Sequence, residues 1–214
     1  MSRNLKISAA LVAVFVLAVT VLLGLNDDRS AAPGAPADAA LVRDDSHRLS
    51  TVEDGRVTLV EFLDFECESC RAAYPFVEQL REKYEGDVTF VARYFPMPGH
   101  ANAENAAVAV EAAAQQGEFE AMYHRMYQTQ LEWGERQDSQ AALFRTFAAD
   151  LGLDMGAYDA AVADPATLER VLRDREDGLA LGVEGTPTFF LNGEKLEVSS
   201  TDEFIERIDA ALAG

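Results

Sequence analysis

This chain is poor in the residues that most often declare a function. In 214 residues it holds two cysteines, three histidines, one tryptophan and seven prolines. Tetrahedral zinc takes about four ligands, and with no second cysteine pair and no ligand spacing among His47, His100 and His124 a metal site is disfavoured. Basic residues are also scarce. Lysine occurs only at Lys6, Lys83 and Lys195, and 18 Lys and Arg face 37 Asp and Glu, a formal net charge of −19 whose acidic excess lies entirely beyond residue 29. Such a chain lacks the basic surface that a phosphate backbone requires, so nucleic-acid binding is disfavoured. The acidic excess reads as a solvated surface, with a bias toward basic or unfolded client chains as the sharper alternative. No internal repeat or low-complexity stretch is present.

The two cysteines are the informative feature. Cys67-Glu68-Ser69-Cys70 follows directly on the apolar run Val57-Thr58-Leu59-Val60-Glu61-Phe62-Leu63-Asp64-Phe65-Glu66. An apolar strand delivering a Cys-x-x-Cys to a helix start puts both sulfurs on one helix face, close enough to bond. The first cysteine then meets unpaired N–H groups and the positive end of the helix dipole, which favour a thiolate, and the second turns inward. One sulfur attacks and the other resolves. A static disulfide closing so short a loop would contribute little chain entropy, so the pair reads as a redox centre. No cofactor is expected beyond the Cys67–Cys70 disulfide itself, and no metal.

The front of the chain carries a different signal. Ile7 to Leu25 is uncharged and apolar but for Ser8, Thr20 and Gly24, and at about 1.5 Å per residue it spans a bilayer's hydrocarbon core. Arg3 and Lys6 precede it, which favours a short cytoplasmic N-terminus and places the rest across the membrane. A cleaved signal peptide is the alternative, since Ala35-Pro36-Ala37 and Ala37-Asp38-Ala39 offer small-x-small patterns, but both lie well past an apolar run longer than the usual ~7–15 residue h-region. Either way the domain is exported, where a dithiol can live as a disulfide. Residues 26–46 mix Asp, Ala, Pro and Gly without periodicity and read as a flexible tether.

Globular sequence is expected over 47–214, opening with Leu49 and Val52 in a short edge strand. Val57 to Phe65 is β-branched and aromatic enough for a buried central strand. A helix runs from Cys67 to about Tyr84 with Pro75 inside it, Gly86-Asp87 turns the chain, and Val88 to Phe95 is a second strand, completing a β-α-β unit. From about 99 to 182 only helical periodicity occurs. Phe119, Met122, Tyr123, Met126 and Tyr127 form one apolar stripe, read as core rather than client groove; Leu143, Phe147, Ala148 and Leu151 form another. Asp164-Pro165 starts a helix carrying Leu168, Val171, Leu172 and Leu179. Strands return at Thr188–Leu191 and Lys195–Val198 around the Asn192-Gly193 hairpin signal, and Ser200-x-x-Glu203 opens a last helix. The expected fold class is therefore α/β: β-α-β, a helical insert, then β-β-α.

Three ordered segments resemble the DsbA-like branch of the thioredoxin-fold proteins: Glu61-Phe62-x-x-Phe65-x-Cys67-x-x-Cys70, Arg93-Tyr94-Phe95-Pro96-x-x-Gly99-His100, and Gly185-Thr186-Pro187-Thr188-Phe189. The resemblance covers about residues 47–214. It implies a thioredoxin fold with an inserted helical subdomain, a cis peptide at Thr186-Pro187 beside the disulfide, and a backbone ledge there that pairs with an extended substrate. It also matches Glu61 to a buried acid that exchanges a proton with Cys70. His100 matches a position read as structural, with no chemistry assigned. Between the cysteines, where strongly oxidising members carry proline and histidine, this chain has Glu68 and Ser69, with Glu66 adjacent. Carboxylates there disfavour the thiolate and pull toward a more reducing couple, leaving the direction of catalysis open.

The expected function is extracytoplasmic thiol–disulfide exchange with exported, cysteine-containing proteins, coupled to a membrane redox partner for recycling. Cys67, Cys70 and Glu61 would carry the chemistry, Thr186 and Pro187 would bind substrate, and Glu68 and Ser69 would tune the potential. The alternative is a non-catalytic copper- or partner-binding module that uses the same thiol surface.

Overall fold

A computed structural model describes residues 39–52, 55 and 57–214. The expected span at 7–25 and the tether as far as residue 38 lie outside the described residues, among which no helix is long and apolar enough to cross a membrane. The strands are β1 (His47–Ser50), β2 (Val57–Leu63), β3 (Val88–Tyr94), β4 (Thr188–Leu191) and β5 (Glu194–Lys195). The helices are α1 (Glu68–Lys83), α2 (Ala103–Ala114), α3 (Phe119–Trp133), α4 (Ala141–Asp150), α5 (Met155–Ala163), α6 (Pro165–Ala180) and α7 (Thr201–Ala213).

The sheet runs β1-β3-β2-β4-β5, with β2 and β3 parallel and the other pairs antiparallel. The parallel pair needs a crossover, and α1 supplies it. β3 is buried throughout and β2 at every residue but Thr58, as a central strand covered on both faces should be. Alternation divides β2 between two layers. Val60 and Phe62 pack with Val91, Phe95, Val183 and Phe190, whereas Leu59 and Leu63 join the larger cluster with Cys67, Cys70 and the aromatic–methionine stripe of α3. The stripe is core, as its periodicity implies. α2 to α6 form the insert between β3 and β4, and alanine-rich α2 packs on each of the other four.

Side-chain caps fit the local sequence. Asp164 accepts from Ala166 N at 2.9 Å ahead of Pro165, and Asp154 accepts from Gly156 N at 2.8 Å. Ser200 accepts from Glu203 N at 3.2 Å, but the Glu203 carboxylate turns to the N–H and hydroxyl of Ser199, each at 2.8 Å, so only half of the expected capping box closes. β1 stops at Ser50, because Val52 N turns to the Thr89 hydroxyl at 3.1 Å. β5 is only Glu194–Lys195, although Leu196, buried just beyond it, still donates its N–H to Phe189 O at 2.8 Å.

Two expectations are corrected by one buried charge. Arg93 on β3 is 0 % exposed and needs acceptors. Its guanidinium donates to Ala40 O at 2.9 Å and Leu41 O at 2.5 Å, and pairs with Asp174 at 2.9 Å and Asp177 at 2.5 Å. Arg43 reaches Asp177 at 2.6 Å, Asp45 pairs with Arg170 and Arg173, and Leu41 and Val42 pack under the sheet. Residues 40–45, read as tether, are therefore a strap fastened to the domain. The same demand sets α6, whose buried face is Thr167, Val171, Asp174, Asp177 and Gly178, leaving Leu179 50 % exposed. Gly178 permits this approach: a Cβ there would lie 2.7 Å from the Phe95 ring.

Candidate active site

The strand-to-helix junction builds the site. β2 ends at Leu63, and Cys67 is the N-cap of α1, its N–H donating to Asp64 O at 3.2 Å and its carbonyl accepting from Arg71 N at 3.1 Å. The next two residues, Glu68 and Ser69, are exposed, while Cys67 is 7 % and Cys70 1 % exposed. Both thiols are free. Cys67 has its pKa brought down to about 5. The Cys70 thiol, hydrogen-bonded to its sulfur, contributes most; burial opposes the shift; the Thr186 hydroxyl and the N–H groups of Cys70 and Ser69 add to it. The N–H groups act through the field at the helix start rather than through a closed cap bond. In the thiol form the sulfur donates to Thr186 O at 3.3 Å, and the buried Thr186 hydroxyl has no other partner among the described residues, so it can turn to a thiolate. Cys70 is held well above the ordinary thiol range by burial, by the Cys67 sulfur and by the charge of Glu61.

Glu61 shares its strand face with Leu59 and Leu63, on the side of the sulfurs. It is 6 % exposed and has its pKa pushed up to about 8, chiefly by burial and then by the charges of Glu78 and Cys67. At neutral pH it holds a proton within electrostatic reach of Cys70. The Thr186–Pro187 peptide is cis and half-buried. The pairing of Phe62 with Thr188 carries that dipeptide to the end of β2 from which the cysteine loop departs. Cys67, Cys70, Glu61 and Thr186 thus meet in one place although 119 residues separate Cys67 from Thr186.

The flanking acids point elsewhere. Glu66 is buried, its carboxylate accepting from Asn102 N at 2.6 Å and Glu135 N at 3.1 Å. Glu68 is exposed, and its carboxylate pairs with that of Glu135; this bond, followed by the N–H at its own helix start, lowers its pKa, while Glu135 is raised. Ser69 contributes through its backbone.

Three supporting residues are missed by periodicity and motif. Asp64, 2 % exposed, accepts from Glu66 N at 2.8 Å, Met97 N at 2.9 Å and His100 Nδ1 at 2.6 Å. Gln130 of α3 donates to Phe65 O at 2.7 Å and Cys67 O at 2.9 Å, so the insert holds the cysteine loop. Asn102 ties that loop, through Glu66, to the carbonyls of Arg136 and Asp138. Asp64, between Leu63 and Phe65 at the end of an apolar run, carries a signal in the sequence; Asn102 and Gln130 sit among other polar residues and carry none.

Comparisons with known proteins bear on the fold and family. The thioredoxin family model matches residues 52–210. Among solved structures, a thioredoxin-like oxidoreductase from Silicibacter pomeroyi superposes with a TM-score of 0.68 at 24% identity, covering 84% of this chain and 99% of that one. Wolbachia pipientis alpha-DsbA1 superposes with a TM-score of 0.69 at 19% identity, covering 81% of this chain and 94% of that one. Among curated relatives, the Na(+)/H(+) antiporter NhaA of Herminiimonas arsenicoxydans is 38% identical over 147 residues, 69% of this chain but only 22% of that protein, a likeness confined to a shared portion. With the DsbA-like fold, the matched family segment and the paired cysteines at a helix start in agreement, this chain belongs to the thioredoxin family.

Proposed function

We propose that this protein is an extracytoplasmic thiol–disulfide oxidoreductase, tethered to the membrane by residues 7–25, that exchanges disulfides with exported proteins. The observation that carries the reading is the asymmetry of the two sulfurs. Cys67 favours a thiolate and opens to the surface beside Thr186, whereas Cys70 is buried, held as a thiol and faced by a protonated Glu61.

In the reductive direction the Cys67 thiolate attacks a client disulfide, forming a mixed disulfide and releasing one client sulfur as thiolate. Cys70 then loses its proton and attacks the Cys67 sulfur, the second client sulfur leaves, and the protein is left as the Cys67–Cys70 disulfide. Oxidation of a client dithiol runs the same steps backwards, with Cys70 leaving and taking a proton from Glu61. Two electrons pass in either case, and a membrane redox partner restores the starting state. The ledge at Thr186 and Pro187 would align the client backbone by pairing with it.

The test is insulin reduction with dithiothreitol as donor, together with oxidative refolding of a reduced, unfolded client, for the protein and for Cys67→Ser. Activity in at least one assay, abolished in Cys67→Ser, is the expected result. Equal rates for both proteins would refute exchange at Cys67.

A further inference from the structure

His100 has no part in the scheme above, yet it is tied to the cysteine loop by a buried anchor. Its Nδ1 lies 2.6 Å from Asp64 Oδ2, and the Asp64 side chain is 0 % exposed. That one residue joins both loops. Its backbone carbonyl accepts from Cys67 N at 3.2 Å, while its carboxylate accepts from Glu66 N at 2.8 Å and Met97 N at 2.9 Å. Two residues past His100, Asn102 N is held by Glu66 at 2.6 Å, a second tie between the same loops. The imidazole is 29 % exposed, so the ring reaches solvent from a buried anchor whose own carbonyl holds Cys67 N.

Among the described residues, acidic groups act on His100 from several sides: Asp64 and Glu66 from the loop, Cys67, Glu68 at the start of α1, and Glu135 beyond α3. Burial works against a charged imidazole, but Asp64, then Cys67 and Glu66, outweigh it and raise the His100 pKa. The cysteines themselves are separated by Glu68 and Ser69, which bring no cation.

We propose that His100, clamped on Asp64, is the electrostatic partner of Cys67: delivered by the insert, its imidazolium holds the attacking sulfur as a thiolate and so favours the dithiol form of the pair. The proposal rests on exchange at Cys67 and adds the residue that sets its driving force. Opposite charges stabilise one another reciprocally, so the dithiol form must in turn hold the His100 proton more tightly than the disulfide form.

The decisive measurement uses the unaltered full chain. Ring-proton NMR follows the His100 titration in the dithiol and disulfide forms, and the expected result is an acid dissociation constant about threefold or more lower in the dithiol. Equal constants overturn the proposal. His100→Gln should lower the acid dissociation constant of Cys67, read from thiolate absorbance, by about three- to tenfold. It should lower the glutathione equilibrium constant in parallel, tenfold corresponding to about 30 mV. His100→Arg should restore both. Unchanged values in His100→Gln, or a fall that His100→Arg does not reverse, also overturn it, because a packing role would not follow charge. Failure of the unaltered protein in both exchange assays would count against the function instead, and would leave the His100 titration readable.

Discussion

Glu61→Gln should make the protein more stable at alkaline pH and scarcely change it in mild acid. The carboxyl is 6 % exposed, and its pKa rises from 4.5 to about 8 in the folded protein. The sign follows from proton counting. Below about pH 4.5 both folded and unfolded chains hold the proton, and Glu61 costs nothing. Between about pH 4.5 and about pH 8 the unfolded chain releases it while the folded chain keeps it, so stability falls by about 1.4 kcal/mol per pH unit. Above about pH 8 both are ionised and the full penalty of a buried charge persists. Integrated, the penalty is about 1 kcal/mol near pH 5 and about 5 kcal/mol near pH 8.5. Titrating groups that do not sense the Glu61 charge are common to the two proteins and cancel in the comparison. Urea unfolding of the reduced protein and of Glu61→Gln at those two pH values should therefore give a stability difference that shifts by roughly 4 kcal/mol in favour of the variant at the higher pH. The same substitution should slow resolution by Cys70, which loses its proton partner. Parallel stability profiles across that range would refute the buried, proton-holding Glu61.

Iodoacetamide should alkylate Cys67 of the reduced protein far faster than Cys70, with a midpoint near pH 5, because the Cys67 pKa is brought down to about 5 and Cys70 is 1 % exposed; equal rates at the two sulfurs would contradict the assigned roles. Deleting residues 1–46 removes the Ala40 and Leu41 carbonyls from Arg93 and Arg43 from Asp177. That deletion should cost about 3–5 kcal/mol, as breaking a buried ion pair does, whereas deletion of 1–38 keeps the strap; identical urea midpoints for the two shortened proteins would rule out the strap. Gly178→Ala places a methyl 2.7 Å from the Phe95 ring and should lower stability by about 1–3 kcal/mol through overpacking, despite alanine's better helix propensity; a higher Tm would show that α6 has room to shift.

Much of the architecture was written in local pattern. A β-branched run ending in Cys-x-x-Cys announces the β2–α1 junction, Asp164-Pro165 marks the start of α6, and Asn192-Gly193 marks the β4–β5 turn, where Asn192 has φ 50 and Gly193 φ 92. The side of β2 on which Glu61 lies follows from strict alternation with Val60 and Phe62. Such features persist in the sequence because a single helix or strand is enough to create them.

The polar interior was decided only when the chain closed on itself. Asp64 meets His100 across 36 residues, Gln130 meets Cys67 O across 63, Arg93 meets Asp177 across 84, and Ala40 meets Asp177 across 137. Periodicity says which face of an element is buried, but it cannot say which distant charge or carbonyl will be there to satisfy a polar group on that face. On α6 the demand of one buried guanidinium drew Asp174 and Asp177 inward and left Leu179 in solvent. Hydrophobic burial is non-directional and is therefore visible locally, whereas a buried polar group is stable only beside its particular partner. The sequence alone determined the Cys-x-x-Cys at its strand-to-helix junction and the scaffold around it; tertiary structure selected the anchors that hold the cysteine loop.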